Sequence, residues 1–376
     1  AASDVYKRQV LPYTNIIKQS IETYRKALVL HGEQPENVVA EHHHQADFGT
    51  LELRQLATLW RAPIIVTTAV QFFETLASNH PSRLRKLHEL PGSAVFVDET
   101  HAAIPSHLWP QMWRWLEAWS RDWSGYLVLA SGSLPRFWEL PEFVTPPKAP
   151  HEVPDLVPDH LRRELEAAEK FRIRARRHDG AMNCDQLVEF VLDKKGPRLL
   201  IVNTVQSAAV ISARMRRAGH DVLHVSTALA PVHRDRIVDR VKERLVQQAE
   251  NWTLVATSCV EAGMDFSFRS GFRESCATSS LIQIGGRVSR AAEHQGAFVW
   301  DFRTVDDLLN EHPGFRVSRR VLDQLFDERW IGSEGDRTPS ALAKEAMRRE
   351  VGPGSEDIVR RIDEAEHGCE YPTVAD

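Results

Sequence analysis

The chain has 376 residues, enough for two hydrophobic cores and a small further element. With 42% hydrophobic and 26% charged residues it has the composition of an ordinary globular protein, and it shows no signal-peptide pattern and no apolar run near the ~20 residues of a membrane span. A net charge of −5 excludes a globally polyanion-binding surface, so any nucleic-acid groove must be local, built from backbone amides and a few arginines.

In chain order, the first nine residues (AASDVYKRQ) lack an initiator Met and any periodicity, and read as a non-native extension. Short β-rich apolar runs then alternate with amphipathic helical stretches, the pattern of a parallel sheet covered by helices on both faces. Residues 38–40, 63–66, Ala94–Val97 and 126–130 read as strands, each followed by polar residues. Ligands of open α/β sheets bind at the carboxyl ends of strands, so those ends are where chemistry is expected. The proline-rich stretch 141–158 reads as a linker, and an Arg-rich helical stretch leads out of it. The alternation restarts with strands at 198–202, Val222–Val225, Thr253–Ala256 and 297–300. Beyond about residue 305 the chain reads as helical and charged, interrupted at Gly352-Pro353-Gly354. The expected organisation is an incomplete α/β domain over 10–140, a linker over 141–171, a second α/β domain over 172–305 and a helical segment over 306–376. The scattered cysteines Cys184, Cys259, Cys276 and Cys369 form no Cys-x-x-Cys pair and read as free thiols of a cytoplasmic protein.

Four groups of residues carry candidate chemistry. In Val95-Phe96-Val97-Asp98-Glu99-Thr100-His101, two acids end a buried strand and a His follows. Such acids are costly unless paired. A Mg²⁺ held by Asp98 through its water shell, with Glu99 orienting the attacking water, would pair them in nucleotide hydrolysis. Basic neighbours at the strand end would do so equally well. In Gln283-Ile-Gly-Gly286-Arg287-Val-Ser-Arg290, positions 283, 287 and 290 fall at helical i, i+4, i+7 spacing, so one helix face is expected to present an amide and two guanidiniums. Arg287 and Arg290 would then stabilise charge on a transferring phosphoryl group. In Thr257-Ser-Cys-Val-Glu261-Ala-Gly263-Met-Asp265, Gly263 would let the backbone approach a ligand beside Asp265. Ser131-Gly132-Ser133, after a strand, suits a hydrogen-bonded coupling relay.

In this order, on two sheets, these motifs resemble those of superfamily-two helicases. Trp60-Arg-Ala-Pro63-Ile-Ile-Val-Thr67-Thr68-Ala-Val-Gln71-Phe72-Phe73-Glu74, Ser82-Arg-Leu-Arg85-Lys86-Leu87-His88 and Leu11-Pro12-Tyr13-Thr14-Asn-Ile-Ile narrow the resemblance to the helicase portion of the CRISPR-associated type I helicase–nuclease family, over roughly residues 10 to 330. The resemblance implies two RecA-like lobes and a helical C-terminal tail. It implies ATP and Mg²⁺ as cofactors and 3′ to 5′ movement on single-stranded DNA. It also implies recruitment by a guide-RNA surveillance complex, no membrane partner and a monomeric state. By the same resemblance Asp98, Glu99, His101, Gln283, Arg287 and Arg290 are catalytic, and Gly263 and Asp265 join Asp98 and the two arginines at the nucleotide. Pro12, Tyr13, Thr14, Thr67, Thr68 and Gln71 face DNA from the first lobe, and Asn203 and Thr257 from the second. The family's phosphate loop, Gly-x-x-x-x-Gly-Lys-Thr/Ser, has no counterpart here, so the first lobe is expected to lack the strand carrying it. The His-Asp nuclease domain has none either. The chain thus reads as an N-terminally truncated fragment. Another superfamily-two translocase, or an inactive remnant that binds DNA or a partner, remains the alternative.

Two tempting features are discounted. Adjacent histidines in Glu41-His42-His43-His44, near Asp47, point to opposite sides of an extended segment, a poor metal site. Trp109, Trp113, Trp115, Trp119 and Trp123 crowd one helix and read chiefly as core.

Overall fold

A computed structural model describes residues 6–44, 46–143, 152–169, 174–261, 266–288, 298–309, 312–332, 337–352 and 356–375. The chain divides into two compact units, residues 1–153 with 347–376, and residues 154–346.

The first unit is built on β1 (Lys7–Leu11), β2 (Val39–His42), β3 (Ile64–Thr68), β4 (Ala94–Val97) and β5 (Tyr126–Leu129), ordered β2-β3-β1-β4-β5. All four pairings are parallel, so all five carboxyl ends lie along one edge. Alternate residues enter two cores. Val10, Ile65, Val95 and Val97 meet Phe72, Phe73 and the helix Trp109–Asp122, while Leu11, Val39, Ile64 and Val66 meet Ile17 and Ile21 of the helix Thr14–Leu28. Both faces are covered, as a parallel sheet requires.

Lys7, Arg8 and Gln9, read from sequence as a non-native extension that could at most lengthen a strand, form most of the central strand, with Lys7 beside both Ile64 and Ala94. The polar sequence concealed this because its pairing is tertiary. Arg8 is fully buried and donates to the carbonyls of Trp60 (2.8 Å), Ala62 (3.2 Å) and Glu89 (3.2 Å). It satisfies the turns leading into β3 and β4. Burial lowers its pKa to about 10. The Tyr24 hydroxyl joins its neighbours, accepting from Lys7 Nζ and donating to Gln9 Oε1, both at 2.7 Å.

Three of the four tryptophans of the helix Trp109–Asp122 are core residues, and Trp123 lies just past its end. Trp109 lies 4.6 Å from the Phe137 ring, Trp113 stacks on Trp138 at 5.8 Å, and Trp119 donates its indole N–H to Leu90 O. Trp115 sits on the flank and donates to Glu366 at 2.7 Å. Beside it Arg114 pairs with Asp363 at 2.7 Å, fixing the helix Glu356–His367 to the same unit.

The second unit has β6 (Ala175–Met182), β7 (Arg198–Ile201), β8 (Val222–Val225), β9 (Thr253–Ala256), β10 (Ser270–Glu274) and β11 (Val299–Thr304), ordered β6-β11-β10-β7-β9-β8 and parallel throughout. Leu199, Ile201, Leu254 and Ala256 face one core, and Leu200, Val202, Val255, Phe272 and Phe302 the other. β6 and β10 were not legible as strands, because ARRHDGAM is a polar edge and SGFRE carries a buried arginine, Arg273. Gly271 permits close packing on β10, since a Cβ there would stand 2.5 Å from Val288. Among the described residues no helix is long and apolar enough to cross a membrane.

Candidate functional site

The order of the first sheet spreads the candidate residues along its carboxyl edge. Thr67 and Thr68 end β3 and Gln71 follows it, Pro12 to Thr14 follow β1, the acids follow β4 and Ser131 to Ser133 follow β5. Asp98 N donates to Val10 O at 3.0 Å, fastening the acids to the central strand. Asp98 Oδ1 accepts from Glu99 N at 2.9 Å. Burial, opposed by that bond and reinforced by the Glu99 charge, holds the Asp98 carboxyl above its ordinary range. Glu99 adopts left-handed backbone, φ 47° and ψ 47°, which is strained for a residue with a Cβ. The strain turns its half-exposed carboxylate toward His101, with Oε2 3.5 Å from Nδ1. The Thr100 hydroxyl braces the turn from below, donating between Val97 O and Ala130 O at 3.1 Å each.

His101 connects this turn to β5. Its Nδ1 lies 2.6 Å from Ser131 Oγ and 3.4 Å from Ser133 Oγ, and Ser131 Oγ also accepts from Ser133 N at 3.0 Å. Burial lowers the His101 pKa to about 4, so the ring is neutral at physiological pH. A neutral ring can pass a change at Ser131 to Glu99 as a hydrogen-bond rearrangement, without a change in charge. The donor set also suits a hydrated divalent cation. Two adjacent carboxylates, one of them destabilised by burial, are the pairing that a cation relieves.

On the other side of the edge, Thr67 is fully buried and donates its hydroxyl to His42 O at 2.7 Å. Thr68 Oγ1 accepts from Gln71 N at 3.2 Å and caps the helix Ala69–Ala77. Gln71 remains half-exposed, as do Pro12, Tyr13 and Thr14. The histidines discounted above diverge as adjacent residues on a strand end do. His42 Nδ1 accepts from Trp60 Nε1 at 3.1 Å, and His43 Nε2 lies 3.1 Å from Glu41 Oε2.

The carboxyl edge of the second sheet is a buried ionic network. Asn203 N donates to Glu274 Oε2 (2.7 Å), Asn203 Oδ1 accepts from Arg273 Nη1 (2.7 Å) and Asn203 Nδ2 donates to Ser275 O (3.2 Å). Arg273 Nε stands 2.7 Å from Glu261 Oε1, and Glu261 Oε2 accepts from Ser280 Oγ at 3.2 Å. Burial pushes the Glu261 carboxyl up, against the pull of Arg273. Thr257 is buried, its hydroxyl 3.4 Å from Cys259 Sγ. The side chains of Asn203 and Thr257, expected to face a nucleic-acid strand, are thus engaged within the protein.

The helix carrying Gln283 does not extend to Arg287, so these two residues do not share one helix face. The helix Thr278–Gly285 ends at the Gly285-Gly286 pair, and Val288 bridges to Phe268 instead. Paired glycines disfavour continuing the helix, and the Phe268 N–H takes Arg287 O at 2.8 Å. Arg287 Nη1 turns back to Gln283 O at 3.0 Å. Arg290, Gly263 and Asp265 lie outside the described residues.

Comparison with known proteins bears on this arrangement. A family model described as CRISPR-associated nuclease/helicase Cas3, C-terminal, matches residues 194–293. The Cas3 of Haloferax volcanii is 22% identical over 81% of this chain and 43% of that protein. The chain resembles the helicase portion of Cas3. The crystal structure of T. fusca Cas3 with AMPPNP matches 98% of this chain and 48% of its own, with a TM-score of 0.65 at 16% identity. Mycobacterium smegmatis Lhr, a helicase bound to ssDNA and AMP-PNP, matches 92% of this chain and 48% of its own, with a TM-score of 0.50 at 14% identity. This chain spans about half the length of the relatives it matches. The Cas3 likeness bears out the fold expected from the motifs, two RecA-like α/β lobes with helical C-terminal structure.

The Cas3-like motifs led to the strand ends but not to the residues that hold them in place. Arg8 and Arg273, and the buried role of Lys86, were not legible because a basic residue among polar neighbours in sequence reads as solvent-exposed.

Proposed function

We propose that this chain is the motor portion of a CRISPR-associated helicase–nuclease, which hydrolyses ATP to move 3′ to 5′ on single-stranded DNA after recruitment by a guide-RNA surveillance complex. The observation that carries the reading is the Asp98–Glu99–His101–Ser131 constellation, held at the carboxyl ends of two paired strands by a strained turn. Asp98 would hold Mg²⁺ through water, and the cation would supply charge neutralisation at the phosphates. Glu99 orients and deprotonates the attacking water. His101 reports the state of that carboxylate to Ser131 and Ser133, and so to β5. Arg287 and Arg290 would supply positive charge, and Gln283 a neutral amide, to a transferring phosphoryl group, with Gly263 and Asp265 near the nucleotide. Pro12, Tyr13, Thr14, Thr68 and Gln71 offer polar groups that track a phosphodiester backbone without reading sequence. Thr67, Asn203 and Thr257 act through the backbone they brace.

These 376 residues contain no Gly-Lys-Ser/Thr, so the amide nest and lysine that neutralise the β- and γ-phosphates are missing from this polypeptide. We expect negligible ATP turnover by the 376-residue chain. A chain extended upstream to include the family's phosphate loop should show DNA-stimulated turnover that Glu99→Gln abolishes. Steady-state phosphate release from both chains tests this. Robust turnover by the shorter chain that Glu99→Gln abolishes would mean a substitute phosphate site.

A further inference from the structure

We propose that Lys86 is a positioning residue for nucleic acid, orienting the Gln71 carboxamide so that its N–H₂ group faces the strand. The inference rests on reading Gln71 as a nucleic-acid contact.

Lys86 is only 3% exposed although it belongs to a charged surface segment, Arg83-Leu-Arg85-Lys86. Its ammonium donates to Gln71 Oε1 at 3.2 Å and lies 5.2 Å from the centroid of the Trp60 ring. Trp60 is itself fixed, fully buried, stacked on Phe72 at 6.2 Å and donating to His42. The ammonium therefore has a rigid seat of one ring face and one carbonyl. Burial first, and Arg83 second, lower its pKa to about 8, which leaves it mostly protonated at neutral pH.

An ammonium can only donate, so the group facing it must be the carboxamide oxygen. This removes the usual ambiguity of a glutamine. Nε2 is turned away from Lys86, and no described residue accepts from it. Gln71 occupies the first turn of the helix Ala69–Ala77, where Thr68 has already taken its backbone N–H. A fixed N–H₂, a nearby buried cation and the positive end of a helix all favour an anionic oxygen at this point. Without Lys86 the amide would be free to flip and present its oxygen, which repels a phosphate.

The test uses the 376-residue chain, a fluorescently labelled oligo-dT and anisotropy at fixed salt. Gln71→Ala and Lys86→Met should each weaken binding by about tenfold, the scale of one hydrogen bond to a charged group. The double variant should bind like Gln71→Ala alone. Lys86→Met preserves the buried methylenes, and thermal melts confirm that each variant is folded. Gln71→Glu keeps an acceptor for Lys86 but removes the donor, so it should raise the melting temperature while weakening binding as Gln71→Ala does. Full affinity in Lys86→Met or Gln71→Glu overturns the inference. So does a Lys86→Met penalty that persists undiminished without Gln71, since a merely structural lysine would give that. If the wild-type chain fails to bind the oligonucleotide, or Gln71→Ala costs nothing, the nucleic-acid reading itself fails and the inference goes with it.

Discussion

The carboxyl edges of the two sheets use polar residues in opposite ways. In the first unit the acids are half-exposed, lean on a neutral histidine and sit on a strained turn, with Asp98 held above its ordinary pKa. In the second, the polar groups are buried and paired mainly with one another, with Arg273 joined to Asn203, Glu261 and the carbonyl of Glu274, although its Nη2 has no hydrogen-bond partner among the described residues. The first arrangement leaves charge available for a ligand, and the second consumes its charge to fix strand ends. Similar strand-end chemistry in sequence can therefore mean a poised site or a scaffold, and the partners decide which.

The largest expected effect separates the two kinds. Glu261→Ala strands the buried Arg273 guanidinium and should cost about 3–5 kcal/mol in denaturant unfolding. A cost below 1 kcal/mol would mean that the network is not a structural unit.

Next is the pH response of the first unit. The folded pKa of His101, about 4 through burial, lies below its unfolded value near 6.5. Between the two, the unfolded chain binds the extra proton. Stability is therefore complete above about pH 6.5 and falls as pH drops toward 4, by roughly 3 kcal/mol. His42, lowered to about 3 by burial and then by Lys86, adds a loss of the same sign. His101→Asn should flatten the wild-type profile measurably between pH 6.5 and 4.5, and an unchanged profile would mean that His101 is hydrated.

Glu99→Gly should stabilise the first unit by about 1 kcal/mol, because glycine adopts φ 47° without strain. The same change should abolish turnover in the extended chain, the signature of stability given up for function. Destabilisation would show that the turn is not strained.

The smallest effects should be equal. Thr68 and Thr204 cap the helices following β3 and β7, accepting from Gln71 N at 3.2 Å and Ser207 N at 3.1 Å. Replacing either by Ala should cost about 0.5–1 kcal/mol in urea titrations. Unequal losses would mean that one threonine has a role beyond its cap.

Much of the fold was legible. Apolar runs such as Ala94–Val97 and Thr253–Ala256 are strands with the bounds expected, because buried parallel strands must be apolar on both faces. The acids at Asp98 and Glu99 were legible because two carboxylates after such a strand need a reason. Illegible were the strands whose polar residues are paired far away in sequence. Arg8 bonds to Glu89, and Arg273 to Asn203, at separations of 81 and 70 residues. The helical reading of Gln283 with Arg287 failed for a local reason, the glycine pair, and for a distant one, the bridge from Val288 to Phe268, while Arg290 lies outside the described residues.

The sequence by itself determined the class of fold, the order of the motifs and the position of the candidate acids, because hydrophobic periodicity and strand-end polarity are local properties. Only the tertiary structure decided which polar residues are buried against which partners. It seated Lys7 to Leu11 at the centre of a sheet, spent Thr67 and Asn203 on internal bonds, left Glu99 and Gln71 half-exposed and gave Lys86 its carbonyl. The physical reason is that burying a polar group is tolerable only beside a partner, and a partner is a neighbour in space rather than in sequence.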